Sequence, residues 1–214
     1  MELLPIWFIS SFLRLPKKRI ADQTVNADNM NVVVYGTGGV GGYFGARLSD
    51  SGCFVHFIAR GAHLKAIQEK GLFLKSISGD LHLRNVSVSS SSSEIPFKQI
   101  DLVLFCTKTF QLREASEEIR SFVHEETLIL PLLNGIENSE ILLEYFRESQ
   151  VLGGLCRIIS KIENPGVIAH IDVDPSIVFG PLDGQTNKKT LSLQTVFQSA
   201  RIKSTLSKNI QREI

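Results

Sequence analysis

The chain has 214 residues, 43% hydrophobic and 21% charged, with a formal net charge of +1. That length buries a sizeable core and suits one domain, or one domain with part of another. The charge balance lacks the basic excess of a nucleic-acid binder. Cys53, Cys106 and Cys156 are an odd number, widely spaced among apolar neighbours, so neither a disulfide framework nor a metal site is expected.

Residues 1–29 read apart from the rest. The apolar run at 3–13 is interrupted by Pro5 and falls short of the roughly 20 residues a membrane-crossing helix needs. Arg14, Lys17, Lys18 and Arg19 follow the run, whereas a secretory signal places its charge first. The segment is expected to be an extension without fixed structure, either a tail or a start assigned upstream of Met30.

From Asn31 onward, apolar runs alternate with helical stretches, the pattern of a parallel sheet covered on both faces by helices. Residues 32–35 are a β-branched strand, a glycine-rich turn follows, and a helix over 40–51 closes at Gly52. A strand at 54–59 and a helix at 62–70, ending at Gly71, complete a crossover, and the handedness rule makes the two strands parallel neighbours. Residues 72–88 read as a hairpin turning at Ser78-Gly79-Asp80, with alternation at Leu81, Leu83 and Val86. The serine run from Ser87 to Ser93 predicts a flexible loop. Beyond it the pattern predicts a strand at 102–106, a helix at 110–122, a strand at 128–133 and a helix at 136–146. Strands at 151–159, 166–171 and 177–180, a helix at 190–200 and a strand at 202–205 follow. Ser207 is expected to cap a helix that starts at Lys208 and is cut at Ile214. The domain reading is an extension at 1–29, a nucleotide-binding α/β domain at 30–206, and the opening of a second domain at 207–214.

Gly36-Thr37-Gly38-Gly39-Val40-Gly41 is a G-x-G-x-x-G match. It follows a strand, opens a helix and sits in a βαβ unit, the context the dinucleotide fingerprint requires. Gly36 permits the tight turn, Gly38 has no Cβ to block a pyrophosphate, and Gly41 lets the helix approach the sheet. The amides at the helix N-terminus then face an anion. A purely structural glycine turn is the alternative. Arg60 ends the second strand, where an NAD site usually has Asp or Glu. Its guanidinium suits a 2′-phosphate, and no carboxylate is expected nearby to repel one, so NADP(H) is favoured over NAD(H). A solvated surface arginine is the alternative there.

Lys108 and Asn134 each follow a strand, at the carboxyl ends where open α/β sheets bind ligands. The lysine supplies charge, and the amide both donates and accepts. Their alternatives are a solvated loop lysine and a turn-former before Gly135. His124 and His170 lack partners at metal-ligand spacing and are read as structural.

Five blocks then fall in one order: residues 32–42, Ile58-Ala59-Arg60-Gly61-Ala62-His63-Leu64, Thr107-Lys108-Thr109-Phe110-Gln111, Leu133-Asn134-Gly135-Ile136-Glu137-Asn138 and Pro165-Gly166-Val167-Ile168-Ala169-His170. Together they resemble the ketopantoate reductase (2-dehydropantoate 2-reductase) family in order and spacing over about 175 residues. The resemblance implies a Rossmann-type NADPH-binding domain followed by an all-helical domain that closes over the substrate. It implies hydride transfer from NADPH to the C2 ketone of 2-dehydropantoate, giving pantoate on the route to pantothenate and coenzyme A. By position it puts Gly36, Thr37, Gly38, Gly39, Val40 and Gly41 on the pyrophosphate and Arg60 on the 2′-phosphate. Lys108 and Gln111 fall on the cofactor side, and Asn134 beside the nicotinamide and substrate, with Lys108 in support. The family's proton-donating lysine sits on the long helix that opens the second domain, beyond Ile214, and Lys208 precedes that position. The chain is therefore expected to be the cofactor domain of such a reductase, binding nucleotide but catalysing poorly alone. A related reductase of another 2-oxo acid and a non-enzymatic NADP(H)-binding module are the other readings. The expected location is the cytoplasm, and the expected partners are a small 2-oxo acid and, as an open option, a second copy of the chain.

Overall fold

A computed structural model describes residues 30–135 and 137–214. What was expected of residues 1–29, an extension without fixed structure that does not cross a membrane, lies outside the described residues. Among those described, no helix is long and apolar enough to cross a membrane.

The chain opens with β1 (Asn31–Tyr35), α1 (Gly39–Asp50), β2 (Phe54–Ile58) and α2 (Gly61–Lys70). The short strands β3 (Leu72–Ser76), β4 (Leu81–Leu83) and β5 (Ser87–Ser89) follow. Next come β6 (Leu102–Phe105), α3 (Leu112–Ile119), β7 (Leu128–Pro131) and α4 (Asn138–Leu143). Last are the long strands β8 (Leu152–Asn164) and β9 (Val167–Pro181), then α5 (Lys188–Ser199) and β10 (Lys203–Leu206).

Five strands make a parallel sheet in the order β5-β2-β1-β6-β7. The chain order reverses beside β1, which is where open α/β sheets leave a crevice at their carboxyl ends. Burial follows the two-residue period of a strand covered on both faces. Val32 and Val34 enter one apolar cluster with α1, while Val33 and Tyr35 enter another with α3 and α4. The Rossmann-type sheet with helices on both faces is thus as the sequence pattern implied.

A second sheet, β10-β9-β3-β4 with β8 antiparallel on β9, lies across α1. Two glycines let that helix fit between the sheets. A Cβ at Gly45 would stand 2.4 Å from the Phe57 ring, and one at Gly42 would stand 2.6 Å from Ile168. Arg47, buried near the end of α1, donates to the carbonyls of Ser78 and Gly79 at 3.2 and 2.7 Å, fastening the β3–β4 turn to the helix.

Four local expectations are corrected. The serine run is no flexible loop. Ser87–Ser89 form the edge strand β5, Ser92–Glu94 a 3-10 turn, and Ser89 and Ser92 are buried. The hairpin therefore ends with β4, since the next residues leave for the other sheet. The three strands expected between residues 151 and 180 are two continuous ones, joined through bulges. At one irregularity Val173 adopts φ +66°, beside the carbonyls of Asp172 and Val173 that face His170 Nε2 at 3.1 and 2.9 Å. Finally, residues after Ser207 do not start an α-helix. They form a 3-10 turn, Ile210–Arg212, with Asn209 at its N-terminus, and Ile210 is fully buried against Gly153 of β8.

Candidate cofactor site

A cavity of about 260 Å³ opens at the carboxyl ends of β1, β2 and β6, lined among others by Gly36, Thr37, Gly38, Arg60, Lys108 and Gln111. Gly36, at φ +102°, has no room for a side chain, because a Cβ would meet the Cys106 carbonyl at 2.9 Å. The turn is tied to the end of β2. The Gly36 and Thr37 amides donate to the Ile58 carbonyl at 3.3 and 3.1 Å, and Thr37 Oγ1 donates to the same oxygen at 2.9 Å. Those two amides are therefore used by the fold.

The next four amides, from Gly38 to Gly41, have no acceptor among the described residues, as expected of the first turn of a helix. Gly38 faces open space, with nothing within 4 Å of a Cβ built there. Gly41 is the reverse case, where a Cβ would lie 2.2 Å from the Gly36 carbonyl oxygen and 3.0 Å from Cys106 Cβ. A Cβ on Gly39 would meet the Ser160 carbonyl of β8 at 2.4 Å, and Val40 packs on the core. The motif thus divides: Gly36, Thr37 and Gly38 line the cavity, while Gly39, Val40 and Gly41 let α1 lie close to its neighbours.

Arg60 stands at the N-terminus of α2, on the cavity wall. The expectation that no carboxylate is near it is corrected, since α3 brings Glu114 Oε1 to 3.5 Å from its guanidinium. Lys108 precedes a 3-10 turn, Thr109–Gln111, closed by the Gln111 amide on the Lys108 carbonyl at 2.8 Å. Phe110 at its tip is 84% exposed.

Asn134 is exposed and does not line the cavity. Its carbonyl accepts from Thr109 Oγ1 at 2.7 Å, which ties the turn after β7 to the turn after β6. Asn138, unnoticed as a functional residue in the sequence, holds that turn by donating to the carbonyls of Leu133 and Gly135 at 2.9 and 2.6 Å.

Three further residues give the cavity its chemistry. His63 Nδ1 accepts from the Gly166 amide at 3.0 Å, which leaves the proton of the neutral ring on Nε2. Burial lowers the His63 pKa, against the pull of the Thr37 backbone, so the ring is held neutral. His63 Nε2 and Thr107 Oγ1 are buried atoms without a hydrogen-bond partner of good geometry among the described residues. Tyr35, on the cavity wall, donates to Glu118, whose other oxygen accepts from the Ser92 amide at 2.7 Å. Burial, and then the Glu118 carboxylate, push the Tyr35 hydroxyl well above its usual range.

Burial, and then the neighbouring Cys156, push the Cys106 thiol up, and burial pushes Cys156 to about 11. Neither thiol is poised as a thiolate nucleophile. Among the described residues no cluster of His, Cys, Asp and Glu could hold a metal ion. His124 and His170 are engaged instead with carbonyl oxygens and, for His170, with Ser76 Oγ at 2.8 Å. The arrangement suits an elongated polyanion: unpaired amides beside an open glycine at one end, and a guanidinium at the other.

Comparison with known proteins agrees with this geometry. The family described as ketopantoate reductase PanE/ApbA matches residues 32–184. An uncharacterized oxidoreductase, YkpB, from Bacillus subtilis is 33% identical over 86% of this chain and 60% of its own length. A 2-dehydropantoate 2-reductase from Pyrococcus abyssi is 32% identical over 85% of this chain and 57% of its own. The chain thus spans about 60% of the length of curated relatives it matches. Among solved structures, 2-dehydropantoate 2-reductase from Porphyromonas gingivalis superposes with a TM-score of 0.79 at 33% identity, covering 87% of this chain and 67% of that one. A D-mandelate dehydrogenase solved with NADH and anilino(oxo)acetate superposes with a TM-score of 0.75 at 25% identity, covering 85% and 58%. With more than half of its residues matched by one family and the same fold in that family's solved members, the chain belongs to the ketopantoate reductase PanE/ApbA family of oxidoreductases.

Proposed function

We propose that the chain binds NADP(H) in this cavity and serves the reduction of a 2-oxo acid, with 2-dehydropantoate as the substrate and pantoate as the product. The observation that carries the reading is the pairing of the unpaired amides beside Gly38 with Arg60 across one cavity. In this reading the turn from Gly36 to Gly41 takes the pyrophosphate through the free amides of Gly38 to Gly41, and Arg60 takes the 2′-phosphate. Lys108 and Gln111 flank the cofactor, and Asn134, with Lys108 in support, lies toward the nicotinamide and substrate. The open face of Gly38 and the unpartnered Thr107 hydroxyl fit a bound dinucleotide.

The cofactor, when bound, supplies the hydride. The chain's own residues orient it: the α1 amides fix the phosphates, and the turn at Lys108 brings a positive charge toward the end where an anionic 2-oxo acid is reduced. No described residue is assigned the proton donation to the carbonyl oxygen. A positioned proton donor is worth about 10²- to 10⁴-fold in rate.

Calorimetric titration with NADPH and NADH tests the reading. Saturable NADPH binding that is lost in Arg60→Ala supports it. A folded chain that binds neither nucleotide refutes it. The D-mandelate dehydrogenase neighbour favours a second reading, a reductase of another 2-oxo acid. Comparing turnover of 2-dehydropantoate with that of aryl 2-oxo acids separates the two.

A further inference from the structure

Arg60 already has an anionic partner. Its guanidinium lies 3.5 Å from Glu114 Oε1, and the two side chains are 54% and 68% exposed. An exposed pair with a single long approach adds little to stability. Glu114 lies in the first turn of α3. Its neighbour Ala115 lines the cavity. One turn on, Glu118 is already committed to the Tyr35 hydroxyl and the Ser92 amide. Glu114 has Arg60 as its one hydrogen-bonding or ionic partner among the described residues.

The pair occupies the place where, on the reading above, the adenosine ribose is bound. A 2′-phosphate arriving at Arg60 must take the guanidinium from Glu114 and then sit close to the displaced carboxylate. Two anions at that separation repel, and water screens them only in part. A 2′-hydroxyl meets no such repulsion and can donate to the carboxylate. NAD sites obtain that contact from an acidic residue after the second strand, and this chain has Arg60 at that position.

We propose that Glu114 is a cofactor-specificity residue, which competes with the 2′-phosphate of NADPH for Arg60 and offers an acceptor to the 2′-hydroxyl of NADH, so that the chain accepts both nucleotides. The inference rests on the dinucleotide reading of the cavity.

The test is to titrate the full chain, Glu114→Gln and Arg60→Ala with NADPH and with NADH at low and at moderate salt. Circular dichroism confirms that each variant is folded. Glu114→Gln is expected to tighten NADPH about three- to tenfold, to leave NADH equal or weaker, and to show the larger change at low salt, as a screened repulsion requires. A ratio of NADPH to NADH affinity that does not rise in Glu114→Gln, while Arg60→Ala abolishes NADPH preference, overturns the role of Glu114 and leaves the cofactor site standing. If Arg60→Ala changes neither affinity, or the full chain binds neither nucleotide, the reading of the cavity fails and this inference falls with it.

Discussion

Gly38 and Gly41 stand three residues apart in one motif and answer to different demands. Gly41 is excluded from carrying a side chain by the protein itself, since a Cβ would sit 2.2 Å from the Gly36 carbonyl oxygen. Gly38 has φ −83°, open to any residue, and nothing within 4 Å of a built Cβ. Gly41→Ala is therefore expected to cost about 1–3 kcal/mol in urea denaturation, the usual penalty for overpacking. Gly38→Ala should leave stability within about 0.5 kcal/mol of the parent, because it meets no neighbour. It should nevertheless weaken NADPH by at least about tenfold, roughly 1.4 kcal/mol, as the methyl enters the space above the turn. If Gly38→Ala bound NADPH as tightly as the parent, that space would not be the phosphate site.

The edge strand β5 shows how an element made of serines holds its place. His56 on β2 meets Ser87 Oγ at 2.7 Å through Nδ1 and Ser89 Oγ at 2.9 Å through Nε2. Burial lowers the His56 pKa to about 4, against about 6.5 in an unfolded chain. The unfolded state therefore binds more protons between those values, so this contribution is complete above pH 6.5 and is lost as the pH falls toward 4. Denaturation of the parent should show stability declining over that window, and His56→Asn should flatten the decline. An unchanged slope in the variant would remove His56 as its source. The same contacts explain what was legible in the sequence. β6, β7 and residues 32–35 of β1 are buried runs covered on both faces, and such continuous runs bounded by turn residues mark strands. The serine run was misread because its order comes from His56 and Glu118, partners 31 and 26 residues away. The break expected between residues 171 and 177 came from the polar residues Asp172 and Asp174, which β9 accommodates through an irregularity at Val173 instead of ending. In the site, the glycine turn, Arg60 and Lys108 were visible because each follows a strand end, and Gln111 only through the family resemblance. Glu114 was not, because only the folded chain brings the first turn of α3 to the N-terminus of α2, with Glu114 Oε1 3.5 Å from the Arg60 guanidinium.

At the scale of the molecule, α1 joins the two sheets into one unit. Its residues share an apolar cluster with β1 and β2 on one side and with Ile168, Ile177 and Phe179 of β9 on the other. A helix with bulky residues at Gly42 and Gly45 could not fit between them. The cofactor turn at the start of α1 is thus fixed by both sheets, and the β8 backbone presses on it at Gly39. The turn after β10 belongs to this unit as well. Ile210 is fully buried, and a Cβ on Gly153 of β8 would lie 2.8 Å from its side chain. Were residues 207–214 only the opening of a separate domain, trimming Ile210 would leave the nucleotide-binding unit unaffected. Ile210→Ala is instead expected to destabilise the chain by about 2–4 kcal/mol, the cost of removing a buried branched side chain whose space cannot refill. Because one core spans the sheets, the loss should appear as an earlier but still single urea transition, followed both by circular dichroism and by Trp-independent probes such as tyrosine absorbance. A transition unchanged in midpoint would place the boundary of the cofactor domain before Ile210, and a biphasic one would mean that the two sheets unfold separately.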